Sequence, residues 1–211
     1  MTFKFPSRNA LGPKEKSSIS QVIKFYQKKK IDPGYEGIFE KKLCSKFSSM
    51  MGGGYADACS SGTAAAFIAI SALNLKKGRE VLISPVTDSG PLNALILLGL
   101  KPKLIDSSPN SYNVSLKQFL VRVSKKTKAA VIMHIGGETS QIHEICIEAK
   151  KRKIKIIEDC SQAPFAKSIW SKKYYDKCKK NYVGSYGDLS FFSTMFSKTI
   201  SSCGTAGIVY T

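Results

Sequence analysis

Histidine, arginine and acidic residues are scarce in this 211-residue chain. The two histidines, His134 and His143, are too few and too badly spaced for a metal cluster. Six cysteines are scattered, with no C-x-x-C pair. That spacing argues against zinc and, with the size and class of the chain, fits reduced cytoplasmic thiols. No apolar run approaches ~18 residues, so no membrane span is expected, and residues 1–8 lack the apolar stretch of a secretory signal. Only Arg8, Arg79, Arg122 and Arg152 are arginines among 33 basic residues. Proteins that read nucleic-acid sequence lean on arginine for bidentate base contacts, so a nucleic-acid partner is disfavoured.

What is abundant is lysine. Against 15 acidic residues it leaves a formal charge of +18. The runs at Lys28–Lys30, Lys125–Lys126 and 150–153 fall at expected helix ends and loops. A solvated lysine-rich surface explains them first, and attraction of a phosphorylated small substrate second. A hydrophobic content of 43%, with eleven Phe and nine Tyr, suffices for one sizeable core.

Periodicity sets the organisation. Residues 1–14 read as an irregular arm, and Ser17 or Ser18 can cap a helix running to about Lys30. Residues 31–34 break it, and a second helix covers 35–51. Strands are expected at 55–59, 81–84, 103–106, 129–134 and 154–158, with helices at 63–73, 90–99, 116–123 and 142–151 between them. Strands apolar on both faces suit a sheet covered on both sides. The alternation predicts a three-layer α/β/α sandwich with a mainly parallel, mixed sheet, whose ligand gathers at the strands' carboxyl ends. Residues 167–184, with Trp170, Tyr174 and Tyr175, read as a polar surface excursion. Strands at 188–192 and 206–210 then flank the segment holding Lys198. Two regions result: an arm and helix over 1–33, and a large domain over 34–211.

Three motifs carry chemistry. At 60–65, Ser-Ser-Gly-Thr-Ala-Ala joins a strand end to a helix start. Gly62 lets backbone N–H groups approach an anion and Thr63 adds a hydroxyl, although a plain N-cap explains Ser61 or Thr63 as well. At 158–163, Glu-Asp-Cys-Ser-Gln-Ala ends a strand. Asp159 there can hold a cationic ring nitrogen or cap a turn, and Gln162 can offer its amide to a neighbouring oxygen. At 191–198 a single lysine, Lys198, follows Phe, Ser and Thr residues. Desolvation favours its neutral amine, the form that condenses with an aldehyde, and a snorkelling structural lysine is the alternative.

In order and spacing these motifs resemble the DegT/DnrJ/StrS-type sugar aminotransferases, a pyridoxal-phosphate family with an aspartate-aminotransferase-like large domain. The resemblance begins at Gly34-Tyr35-Glu36-Gly37 and passes through Gly78-Arg79-Glu80-Val81, Lys126-Thr127-Lys128-Ala129 and Gly187-Asp188. It implies that Lys198 bonds the cofactor and later shuttles a proton, while Asp159 keeps the pyridine nitrogen protonated. Gln162 contacts the ring-hydroxyl side, and Gly62, Thr63 and Ser193 hold the phosphate. The implied reaction moves an amino group from glutamate or glutamine to a nucleotide-linked keto-sugar, in amino-sugar or surface-polysaccharide synthesis, by a cytoplasmic homodimer. The family's dehydratase branch has a histidine where this chain has Lys198.

Two departures stand out. Family members commonly place an aromatic residue after the threonine matching Thr87, where it stacks on the ring; here it is Asp88. The family also carries a smaller C-terminal domain, and a partner-supplied asparagine lies beyond the point matching Thr211. The alternative expectation is therefore a catalytically incomplete fragment or partner subunit that binds cofactor without turnover.

Overall fold

The computed structural model describes residues 11–168 and 182–211. The first ten residues of the arm and most of the polar excursion, including Trp170, Tyr174 and Tyr175, lie outside the described residues. Helix α1 (Pro13–Lys29) begins earlier than the serine caps suggested. Pro13 opens it, where a missing N–H costs nothing. The Glu15 carboxylate reaches back to accept the Gly12 N–H at 2.8 Å. Helix α2 (Ile38–Met51) follows and stops at Gly52, whose φ of 105° suits a left-handed C-cap.

The sheet then builds by alternation: β1 (Ala56–Cys59), α3 (Gly62–Ala72), β2 (Glu80–Ile83), α4 (Ser89–Leu97), β3 (Lys101–Leu104), α5 (Leu116–Arg122), β4 (Thr127–Met133), α6 (Ile142–Lys151) and β5 (Lys155–Asp159). Strands β6 (Leu189–Ser193) and β7 (Gly207–Tyr210) complete it. The strand order is β1-β7-β6-β5-β4-β2-β3. Five strands from β6 to β3 run parallel, and β7 is antiparallel to both of its neighbours. The sheet is mixed and mainly parallel, with helices on both faces, as the alternation implied.

Period-two patterning divides the core. Val81, Ile83, Ala129, Val131 and Phe191 face Ala65, Ala66, Ala69 and Ile70 of α3 and Leu95 of α4. Their neighbours Leu82, Ala130, Ile132 and Phe192 face Phe47 of α2, Phe119 of α5 and Ile142 and Ile145 of α6. Alanines on α3 let that helix lie close to the sheet, which brings its N-terminus over the strand ends. Strand β3 lies two residues earlier than the 103–106 expectation. It is an edge strand holding Pro102, where burial does not dictate the pattern. Among the described residues, no helix is long and apolar enough to cross a membrane.

Candidate active site

The carboxyl ends of β4, β5 and β6 meet the N-termini of α3 and α4 around a cavity of about 240 Å³. Its wall includes Gly62, Thr63, Asp159, Ser193 and Lys198, five of the six residues singled out in the sequence. Asp88 and Ser161 also line it.

The α3 end explains why glycine stands at position 62. A Cβ there would lie 2.6 Å from the Ser193 Cβ, so the strand end and helix start approach too closely for any side chain. Ser61 is the N-cap: its Oγ accepts the Ala64 N–H at 3.0 Å. That settles the alternative at this motif in favour of Ser61 as cap, and Thr63 is not needed for that role. What remains is a helix N-terminus with the Gly62 backbone, the Thr63 hydroxyl and the Ser193 hydroxyl on one wall, a geometry suited to an anion.

At the end of β5, Asp159 is buried at 1% exposure. Its Oδ1 accepts the Ser161 N–H at 3.0 Å. Burial pushes its carboxyl above the ordinary range, with hydrogen bonds from Ser161 and the proximity of His134 and Lys198 acting in the opposite sense. A buried acid of this kind gains by meeting a cationic donor. Lys198 sits in the connection between β6 and β7. The backbone of that connection is tied by Phe196 N to Gly204 O at 2.9 Å and Ser202 N to Thr194 O at 2.9 Å. Lys198 itself donates its backbone N–H to Met195 O at 2.8 Å.

Gln162 stands apart. It is exposed and does not line the cavity. Its Oε1 accepts the Gly136 N–H at 2.9 Å, which leaves the amide nitrogen as its available donor group. Asp88, where an aromatic residue was expected, is the N-cap of α4, with Oδ1 accepting the Gly90 N–H at 3.0 Å.

Sequence reasoning missed a second polar cluster beneath the cavity. Glu158 is fully buried, and its Oε1 accepts the N–H groups of Tyr186 at 2.8 Å and Gly187 at 2.7 Å. Its Oε2 accepts the Gly184 N–H at 2.7 Å and faces His134 Nε2 at 3.1 Å. Because His134 Nδ1 accepts the Ser140 N–H, Nε2 carries the ring's proton and donates to Glu158. His134, Glu158 and Cys160 bring ligand-type atoms within 4.8 Å of one another, yet the Glu158 oxygens are already occupied by these four donors. The signal available in the sequence was strand alternation, which sends residues 158 and 159 to opposite faces.

Comparison with known proteins places this geometry. The model of the DegT/DnrJ/EryC1/StrS aminotransferase family matches residues 14–211. GDP-perosamine synthase of Escherichia coli O157:H7 is 32% identical over 83% of this chain and 45% of its own length. Protein MosB of Rhizobium meliloti is 33% identical over 84% of this chain and 32% of its own length. The chain thus spans less than half of either relative. Among solved structures, NtdA from Bacillus subtilis with bound cofactor PMP superposes with a TM-score of 0.78 at 25% identity, covering 98% of this chain and 44% of that one. An aminotransferase from Psychrobacter cryohalolentis shares the fold, with a TM-score of 0.82 at 24% identity over 99% of this chain and 49% of that one. The match over nearly the whole described fold identifies the chain as a member of the pyridoxal-phosphate-dependent DegT/DnrJ/EryC1/StrS aminotransferase family.

Proposed function

We propose that this chain is the cofactor-binding part of an aminotransferase that moves an amino group from glutamate or glutamine onto a nucleotide-linked keto-sugar, working as a homodimer. One observation carries the reading: Lys198, Asp159 and the Gly62–Ser193 contact converge on a single cavity.

The residues present fit pyridoxal phosphate. The close approach of Gly62 to Ser193 leaves backbone and hydroxyl donors at a helix start, which suits a phosphate group. The described hydrogen-bond donor to the buried Asp159 is Ser161, and a protonated ring nitrogen would add a cationic one. When bound, the cofactor supplies an aldehyde carbon and an electron-withdrawing ring.

Each residue then has a task. Gly62 N–H, the Thr63 hydroxyl and the Ser193 hydroxyl bind the phosphate. Asp159 accepts a hydrogen bond from the ring nitrogen and holds its proton there; that pairing offsets the cost of a desolvated carboxylate. Lys198 Nζ would be the residue that holds the cofactor covalently and, once released, would carry a proton to and from the substrate carbon. Gln162, whose oxygen is held by Gly136 outside the cavity wall, would offer its amide nitrogen to the ring-hydroxyl side of the cofactor. A lysine rather than a histidine at 198 favours amino transfer over the dehydratase reaction.

Borohydride treatment of the chain loaded with pyridoxal phosphate should fix the cofactor to Lys198, read by peptide mapping. Label elsewhere, or none at saturating cofactor, would overturn the reading. Incubation with glutamate should then yield pyridoxamine phosphate, and its absence would reduce the role to binding without turnover.

A further inference from the structure

The cavity holds one lysine and two carboxylates, and only one of those carboxylates has been given a task. Asp88 caps α4 through Oδ1, but a cap needs an oxygen, not a charge; asparagine and serine cap a helix about equally well. The charge of Asp88 is therefore surplus to its structural role. At about 240 Å³ the cavity is smaller than most small-molecule sites, and Asp88, Asp159 and Lys198 all line it.

We propose that Asp88 is a second acidic group of the Lys198 site, whose charge favours the protonated form of the Lys198 nitrogen once that nitrogen carries the cofactor. The inference rests on Lys198 carrying the cofactor. The charged groups concerned come from three elements. Asp88 stands at the start of α4, Asp159 at the end of β5, and Lys198 in the β6–β7 connection. His134, at the end of β4, is the other titratable group near Asp159, and its ring is engaged below the cavity by Glu158 and Ser140. No other described titratable residue lines the cavity. A negative charge lining the same small cavity would favour the protonated form of a cofactor-linked nitrogen, and that protonation would make the site more receptive to an incoming amine. Asp88 thus acts on the linkage electrostatically and extends the pH range over which the site accepts an amino donor.

Asp88→Asn and Asp88→Ser both keep a capping oxygen and remove the charge. With each protein loaded with pyridoxal phosphate, the pH midpoint of the visible absorbance change reports protonation of the Lys198 nitrogen. Both variants should show that midpoint lowered by roughly one unit, as expected for loss of one nearby partly solvated charge. Melting temperatures within a few degrees of the parent (about 2–4 °C per kcal/mol) would exclude unfolding as the cause. An unchanged midpoint in either variant, with borohydride label still on Lys198, overturns the role of Asp88 alone. Absence of label on Lys198 in the parent chain overturns instead the cofactor reading beneath it.

Discussion

Glu158 and Asp159 are adjacent acids at the end of one strand, and they live in opposite worlds. Glu158 points below the sheet, where three backbone N–H groups and the His134 ring occupy both of its oxygens. Asp159 points above it into the cavity, with Ser161 N–H as its described hydrogen-bond donor. Both are buried. The difference lies in donor supply: four donors meet the lower carboxylate, while Ser161 is the described donor to the upper one. A fully satisfied buried acid organises backbone, whereas an under-supplied one is suited to bind.

The largest effect should come from breaking the lower cluster. Glu158→Ala would leave three backbone N–H groups and His134 without their acceptor, at a cost of about 3–5 kcal/mol. Urea denaturation followed by far-ultraviolet circular dichroism would measure it; a loss under 1 kcal/mol would make Glu158 dispensable. On the upper side, Gly62→Ala drives a methyl group against Ser193 and should cost about 1–3 kcal/mol, together with a sharp fall in pyridoxal-phosphate affinity. Fluorescence titration with the cofactor checks the second part. Gly136→Ala offers a milder contrast. Gly136 has φ +64° but nothing within 4 Å of an added Cβ, so only backbone strain of about 1 kcal/mol is expected.

Asp159→Asn should have the smallest effect on stability, and its sign depends on pH. The folded-state pKa of Asp159 is raised above the ordinary 3.8, so the folded chain holds this proton longer than the unfolded chain does. Stability contributed by the protonated acid is complete below the ordinary value and is lost as pH rises toward the folded-state value. The variant should therefore gain on the parent as pH climbs from about 4, without cofactor present. Denaturation midpoints at several pH values would show this, and a gap that narrows as pH rises would contradict it.

Much of this was legible in the sequence because the strands are short, apolar and regularly spaced. Five of the six singled-out residues meet at one cavity because α/β folds gather strand ends on one side. The edge was less legible: Lys101 and Pro102 in β3 show no burial pattern, and the strand begins before the apolar residues do. Side-chain to backbone contacts also escaped notice. Asp88 reads in sequence as a departure from the family's aromatic residue and in the fold as an N-cap bonded to Gly90 two residues on, and Gln162 is drawn toward Gly136 by a contact spanning 26 positions. The Glu158–His134 pair spans 24 positions, and no local pattern links the two.

The tight seat of Gly207 on the Ser61 carbonyl has a consequence for how the protein comes into being. Gly62 is synthesised long before Ser193 and Gly207, yet its wall of the site exists only once β7 has slipped between β1 and β6. On a ribosome, the growing chain must hold β1 in waiting while five parallel strands assemble elsewhere, and contacts of such long sequence range form slowly. The cavity wall is then complete only after β7 has joined the sheet, so a ligand that prefers the closed sheet would act as a folding clamp on this part of the chain.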